Sequence, residues 1–355
     1  MATVLAMRLN NEQAIVVADE STWHLGHIFG YRRTNYGDSL ASLFSPEETE
    51  RTGCSAIYSG VGFPSFHGDV VCRMKRELKS VSGKDAGNER GANKWLARKL
   101  HETFVSCHER TVDDNLRFAF GFGRHSLNSR SYEADGKSYE IGMEPVVAAA
   151  RSIAAGSAHG NAFDRINSNY GFLLTRDRVN GVQGWYVGPK GRSIAFATPI
   201  ATLGPGGSVA SHLLTDFLQR RDLEKRREGF TLREGIYIAM KIATAIRFST
   251  GKMGGYFQIM LLDGERGVRE FLSHEAHLCG EIMRGHEWGF FPRKDAEELV
   301  CALLLDGESD ETIEKEMFAR ASDSELLRRY LIGFKPTHAP SALAVDPPQE
   351  GGDVR

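Results

Sequence analysis

The stretch TVLAMRLNNEQAIVVAD, residues 3–19, decides the fold. Two apolar, β-branched runs, Thr3 to Leu9 and Ala14 to Ala18, flank the polar Asn10-Asn11-Glu12-Gln13, which is the pattern of a β-hairpin. Outward from it, residues 24–52 are polar and irregular and read as a loop. Cys54 to Ser59 is a further short strand ending at Gly60, and Phe66 to Lys79 follows with Val70, Val71, Met74 and Leu78 at helical spacing.

Beyond a loop at 80–91, Asn93 to Cys107 reads as a second amphipathic helix. Residues 124–168 look like an insertion in which only Val146 to Ala155 suggests a helix. Gly171 to Arg176, Gly184 to Gly188 and Ser193 to Ala197 alternate with Asn-Gly and Pro-Lys-Gly turns, an antiparallel meander. A glycine-rich turn at 204–207 leads to a helix from Ser208 to about Arg221. A helix over Leu232–Phe248 and a strand over Tyr256–Leu262 follow. Asp295–Asp306, Asp310–Arg320 and Ser324–Ile332 read as helices, and the proline-rich 336–355 as a disordered tail.

Composition sets outer bounds. A hydrophobic fraction of 41% with 10% aromatics suits a chain with a sizeable core. Forty-four Lys and Arg against 46 Asp and Glu leave a formal charge of −2, so the bulk balance points neither to nucleic acid nor to an anionic membrane. No run of about 18 apolar residues and no secretory h-region occurs, so no membrane span is expected. Cys54, Cys72, Cys107, Cys279 and Cys301 lie at wide, irregular intervals, which fits reduced thiols and a cytoplasmic location.

The details carry a resemblance. Ala2-Thr-Val-Leu-Ala-Met-Arg8 resembles the opening of proteasome β subunits and their bacterial relatives in the N-terminal-nucleophile hydrolase superfamily, and Ile15-Val-Val-Ala-Asp19 is similar to that family's second strand. Ser55-Ala-Ile-Tyr-Ser-Gly60 resembles its first glycine turn, Ile200 to Ala210 its second, and Gly254 to Ile259 with Asp263-Gly264 its last core strand and turn. Roughly 150 to 180 residues match in register. The resemblance implies an α+β fold, a four-layer αββα sandwich, over residues 1–270, with 124–168 as an insertion. A C-terminal helical extension over 271–335 precedes the tail. It also implies a homo-oligomeric ring, a protein or peptide substrate if the chain is active, and no cofactor.

In the family a threonine hydroxyl, activated by its own chain-terminal amine, attacks the carbonyl, and a lysine held by an aspartate tunes it. An oxyanion hole near the second glycine turn stabilises the intermediate. Matching Leu5, Ala6 and Arg8 puts Ala2 at the nucleophile, whereas matching back from Asp19 puts Thr3 there. A hairpin turn accepts an extra residue more easily than a strand, which favours the Ala2 register.

Asp19 matches the family aspartate in either register. No lysine precedes Lys75. Arg33, Arg32 and Arg51 are the available substitutes, but a guanidinium stays charged and cannot shuttle protons. Pro205 stands at the family's serine, Thr250 at its aspartate and Met253 at its second serine, with Lys252 as a possible replacement base. The expectation is therefore a catalytically degenerate structural or regulatory subunit. The alternatives are an active threonine peptidase or amidase using Thr3, Asp19 and Arg33, and a metal-binding regulatory module. The last would use His274, His277 and Cys279, within a group that also holds Glu275, His286 and Glu287, but the spacing matches no zinc motif, so this stretch reads as a solvated polar helix with interface histidines and no metal is expected.

Overall fold

The computed structural model describes residues 3–19, 22–26, 30–34, 40–62, 64–79, 92–155, 169–196, 199–204, 206–222, 224, 229–250, 257–264 and 266–331. In chain order the first elements are β1 (Val4–Arg8), β2 (Gln13–Asp19), β3 (Thr22–Gly26), β4 (Gly30–Thr34), β5 (Leu40–Ser42), α1 (Pro46–Thr52), β6 (Cys54–Val61), α2 (Pro64–Lys79) and α3 (Ala92–Phe120). The 124–155 region supplies α4 (Arg124–Ser129), β7 (Ser131–Ala134), β8 (Lys137–Glu140) and α5 (Glu144–Ala155). Then come β9 (Tyr170–Asp177), β10 (Gly181–Gly188), β11 (Gly191–Ile194), β12 (Ile200–Leu203), α6 (Gly207–Gln219) and α7 (Leu232–Thr250). The remainder is β13 (Phe257–Asp263), β14 (Gly267–Glu270), α8 (Ser273–Glu287), α9 (Arg293–Cys301), α10 (Asp310–Arg320) and α11 (Ser324–Tyr330), with a π-helical turn Ala302–Asp306 prolonging α9.

The opening hairpin forms as its sequence expects, with Val4 opposite Ala18 and Arg8 opposite Ala14. Asn10 shapes the turn by accepting from the backbone N–H groups of Glu12 and Gln13 at 2.8 and 2.9 Å. The turn is then gripped from two directions: Val182 N–H donates to Asn11 O at 2.7 Å and Phe230 N–H to Leu9 O at 2.9 Å. The Arg176 guanidinium adds two bonds to the Glu12 carboxylate.

The hairpin sits inside an antiparallel five-stranded sheet ordered β12-β1-β2-β13-β14, and a second antiparallel sheet runs β11-β10-β9-β6-β5. Strand alternation sorts the side chains. Val4, Ala6, Ala14, Val16 and Ala18 join Ile57, Phe172, Leu174 and Val182 of the second sheet in one apolar cluster. Leu5, Met7, Ile15 and Val17 enter another, with α6 to α11. The second sheet's remaining face, including Tyr58, Leu173 and Trp185, packs on α2 and α3 through Val70, Met74, Leu96 and Phe104. Both faces of the hairpin strands are thus covered by apolar side chains, which explains their uninterrupted apolar runs.

Four expectations need correction. Residues 24–52 are not an irregular loop: β3 pairs with β4, β5 with β6, and α1 begins at a capping box in which Ser45 accepts from Glu48 N–H and the Glu48 carboxylate accepts from Ser45 N–H. The second helix runs to Phe120 rather than Cys107, because Val112 and Leu116 extend its buried stripe. The insertion has its own apolar cluster on that distal half of α3, built from Phe122, Leu127, Ile141, Val147 and Ala150. Its hairpin closes at Asp135-Gly136, both with positive φ, the two-residue turn that suits strand twist. Last, residues 273–287 are no solvated polar helix: Ala276, His277, Cys279, Ile282 and Met283 are buried. The proline-rich 336–355 lies outside the described residues, and among those described no helix is long and apolar enough to cross a membrane.

Candidate functional site

One end of the first sheet collects the residues in question. Register sets Leu203 opposite Val4, Val4 opposite Ala18, and Ala18 opposite Gln258, with Asp19 opposite Phe257. The next residues along, Gly204 and Thr3, therefore fall beside Asp19 at the strand ends. The first glycine turn belongs to the same end: Leu40 pairs with Ser59, and Leu40 N–H donates to Gln258 Oε1 at 3.2 Å. Backbone register thus brings Thr3, Asp19 and both glycine turns together, while the Asp19 side chain lies outside the described atoms.

Thr3 is fully buried, with 0% of its surface exposed. It has the parity of Leu5 and Met7, whose side chains face the helices, whereas Val4 and Ala6 face the second sheet. With residues 1 and 2 still attached, the Thr3 hydroxyl is enclosed on that side.

The candidate arginines divide. Arg32 and Arg33 lie on β4, opposite His24 and Trp23, with side chains outside the described atoms. Arg51 is exposed on α1, and Thr49 of that helix lies against Gly267, which pairs with Asp263. That is the far end of β13 from Phe257, roughly 20 Å from Asp19 at about 3.3 Å per strand residue. Arg51 is therefore not part of the Thr3 end. Thr250 closes α7, and Ala2, Pro205, Lys252 and Met253 lie outside the described residues.

Two side chains that the sequence reading passed over govern the first glycine turn. Tyr58 O–H donates to His67 Nδ1 at 2.7 Å, and His67 Nε2–H donates to Val61 O at 3.0 Å, a chain that fixes one imidazole tautomer. Burial pushes the His67 pKa down to about 4, against a weaker upward pull from the Val61 carbonyl, and burial raises that of Tyr58. Gly60 is obligatory here, since a Cβ would strike the imidazole. At the second turn a Cβ on Gly206 would lie 2.5 Å from Ile246 Cγ2, so the chain passes directly over α7. No local pattern marks His67 in the sequence, because Tyr58 and Val61 reach it only once α2 folds back on β6.

The 274–287 histidines part company. His274 Nε2 meets Asp310 at 3.1 Å, His277 Nε2 meets Glu281 at 3.0 Å, and His286 bridges Tyr237 O–H and Phe291 O. Cys279 faces the core, and burial raises its thiol pKa. Burial also raises the Glu281 carboxyl, with His277 pulling the other way. Among the described residues no group of three or more His, Cys, Asp or Glu side chains is placed to hold a metal.

No protein-family description and no curated relative matches the chain. Among solved structures it is similar to Anbu, an ancestral β-subunit, from Yersinia bercovieri, at 12% identity and a TM-score of 0.49 over 81% of this chain and 93% of that one. It is also similar to a Gly-1 mutant of Anbu from Hyphomicrobium sp. strain MC1, at 12% identity and a TM-score of 0.45 over 76% and 87% respectively.

Proposed function

We propose that this chain is a divergent proteasome-like protein of the N-terminal-nucleophile hydrolase fold, with four layers in αββα order, that has lost peptidase chemistry and acts as a structural or regulatory subunit. The layer order is supported by the three apolar clusters, one between the sheets and one on each outer face. The family is supported by the ordered resemblance of the hairpin, both glycine turns and β13. Loss of chemistry rests chiefly on the burial of Thr3 on the helix-facing side. The absence of any lysine before Lys75 points the same way. Assembly into a ring is part of this reading, as is a reducing, cytoplasmic setting, supported by five unpaired thiols.

The test is an electrophile that acylates N-terminal threonine, such as a β-lactone, followed by intact-mass and peptide mapping of the purified chain. No adduct is expected. An adduct on Thr3, accompanied by removal of every residue before it, would refute the degenerate reading and favour an active threonine hydrolase using Thr3, Asp19 and Arg33.

A further inference from the structure

Among the described residues the two five-stranded sheets end at β12 and β14 in the first and at β11 and β5 in the second. A strand at a sheet edge offers its outward N–H and C=O groups to any passing strand, and proteins blunt such edges with shortness or charge. Three of the four follow that rule. β5 has only three residues, β11 exposes Arg192, and β14 carries Arg269 and Glu270. β12 departs from it, for it reads Ile-Ala-Thr-Leu, and no Lys, Arg, Asp or Glu occurs between Arg192 and Asp216. An uncharged, partly β-branched segment of this kind pairs readily with copies of itself.

What β12 has instead is a phenol from the other sheet. Tyr186, on β10, donates its O–H to Thr202 O at 3.2 Å and accepts from Thr202 N–H at 3.1 Å. Thr202 stands opposite Leu5 of β1, and antiparallel alternation turns both of its main-chain groups away from that partner. One hydroxyl therefore makes the two bonds that a residue of an added strand would make there. The ring is held in place, half-buried against the apolar cluster between the sheets, with its centroid 5.8 Å from that of Phe172. Burial raises the Tyr186 pKa, against a weaker downward pull from Thr202, so the group keeps its proton and can donate.

We infer that Tyr186 is an edge guard: its hydroxyl stands in for a missing strand and keeps β12 from pairing with β12 of a second copy, Thr202 opposite Thr202. Pairing of that kind would be antiparallel about a twofold axis and would run two first sheets together through main-chain bonds. The guard also bears on the candidate site. β12 leads directly into the second glycine turn beside Thr3, so a hydroxyl that occupies its outer side fixes where that turn begins. The inference stands apart from the degenerate-hydrolase reading: an adduct on Thr3 would overturn that reading and leave the guard untouched.

The test is Tyr186→Phe in the full chain, which removes the hydroxyl and keeps the ring. Hydrogen-exchange mass spectrometry should show the Thr202 amide exchanging at least about tenfold faster, with β2 and β13 as protected as in the wild type. Light scattering after size exclusion should show the variant associating beyond the wild-type mass, at least about tenfold more strongly than the wild type does. A fluorescent peptide of residues 199–204 then separates edge pairing from general loosening. It should bind the variant and not the wild type, and the same peptide N-methylated at Thr202 should bind neither, because it lacks the N–H that the pairing uses. Unchanged exchange at Thr202, or faster exchange without added association, overturns the inference. So does binding of the plain peptide by the wild type, which would show an open edge, or equal binding of the methylated peptide by the variant, which would show an apolar contact rather than a strand.

Discussion

His67 shows how much one side chain can decide. Its pKa in the folded protein, about 4, lies below the ordinary value of 6.5, so the unfolded chain takes up the proton first as pH falls. Stability from this group is complete above about pH 6.5, declines between 6.5 and 4, and is level below, a total of about 3 kcal/mol at 1.36 kcal/mol per pH unit. Urea unfolding should show His67→Gln less stable than the wild type at pH 7.5, by about 1–3 kcal/mol for the disrupted buried hydrogen bonds. The gap should narrow by pH 4.5, and a constant gap would argue against a neutral buried imidazole. Gly60→Ala should cost about 1–3 kcal/mol in the same assay, because its Cβ overlaps that ring and the core must shift. At this scale Gly60 and Asp19 were legible because glycine and aspartate advertise turns and strand ends. His67 was not, since its partners Tyr58 and Val61 come together only when the helix folds back on the strand.

At the scale of elements, periodic runs were readable and punctuation was missed. The hairpin, α2, α7, β13 and α10 fall where their apolar spacing puts them. The α1 cap was present as Ser45-Pro46-Glu47-Glu48, but the short helix behind it buries no residue and so shows no apolar stripe. Ser45→Ala should cost about 1 kcal/mol by thermal melting, the usual loss for an N-cap hydroxyl. The distal half of α3 was hidden for another reason: its partners lie in the insertion, so its few apolar residues looked unsupported. Leu116 is 0% exposed within that satellite cluster. Leu116→Ala should speed amide exchange across residues 112–150 while leaving β1, β2 and β13 protected, because the insertion's own cluster is separate from the sheets. Uniform acceleration over the whole chain would show that the two fold as one unit.

For the whole molecule, the C-terminal helices lay beyond the family resemblance, yet Leu299, Leu303, Ile313, Met317 and Leu327 belong to the same cluster as Leu5 and Ile15. Burying five such side chains stabilises by about 1.5–3 kcal/mol each, comparable with the whole margin of a domain. A chain ended at Glu287 should therefore aggregate or melt at least about 10 °C lower, measured by scanning fluorimetry, and an unchanged melting temperature would mark 293–331 as dispensable. The sheet order has one more consequence, for synthesis. The β1–β2 hairpin emerges before its sheet partners but lies between β12 and β13, and β13 follows β2 by roughly 240 residues, about 12 to 50 s at ribosomal speeds of 5–20 residues per second. The β1 edge waits until β12 emerges and the β2 edge through the whole interval, so the most family-like segment of the chain is also the one that stays longest with an open strand edge during synthesis.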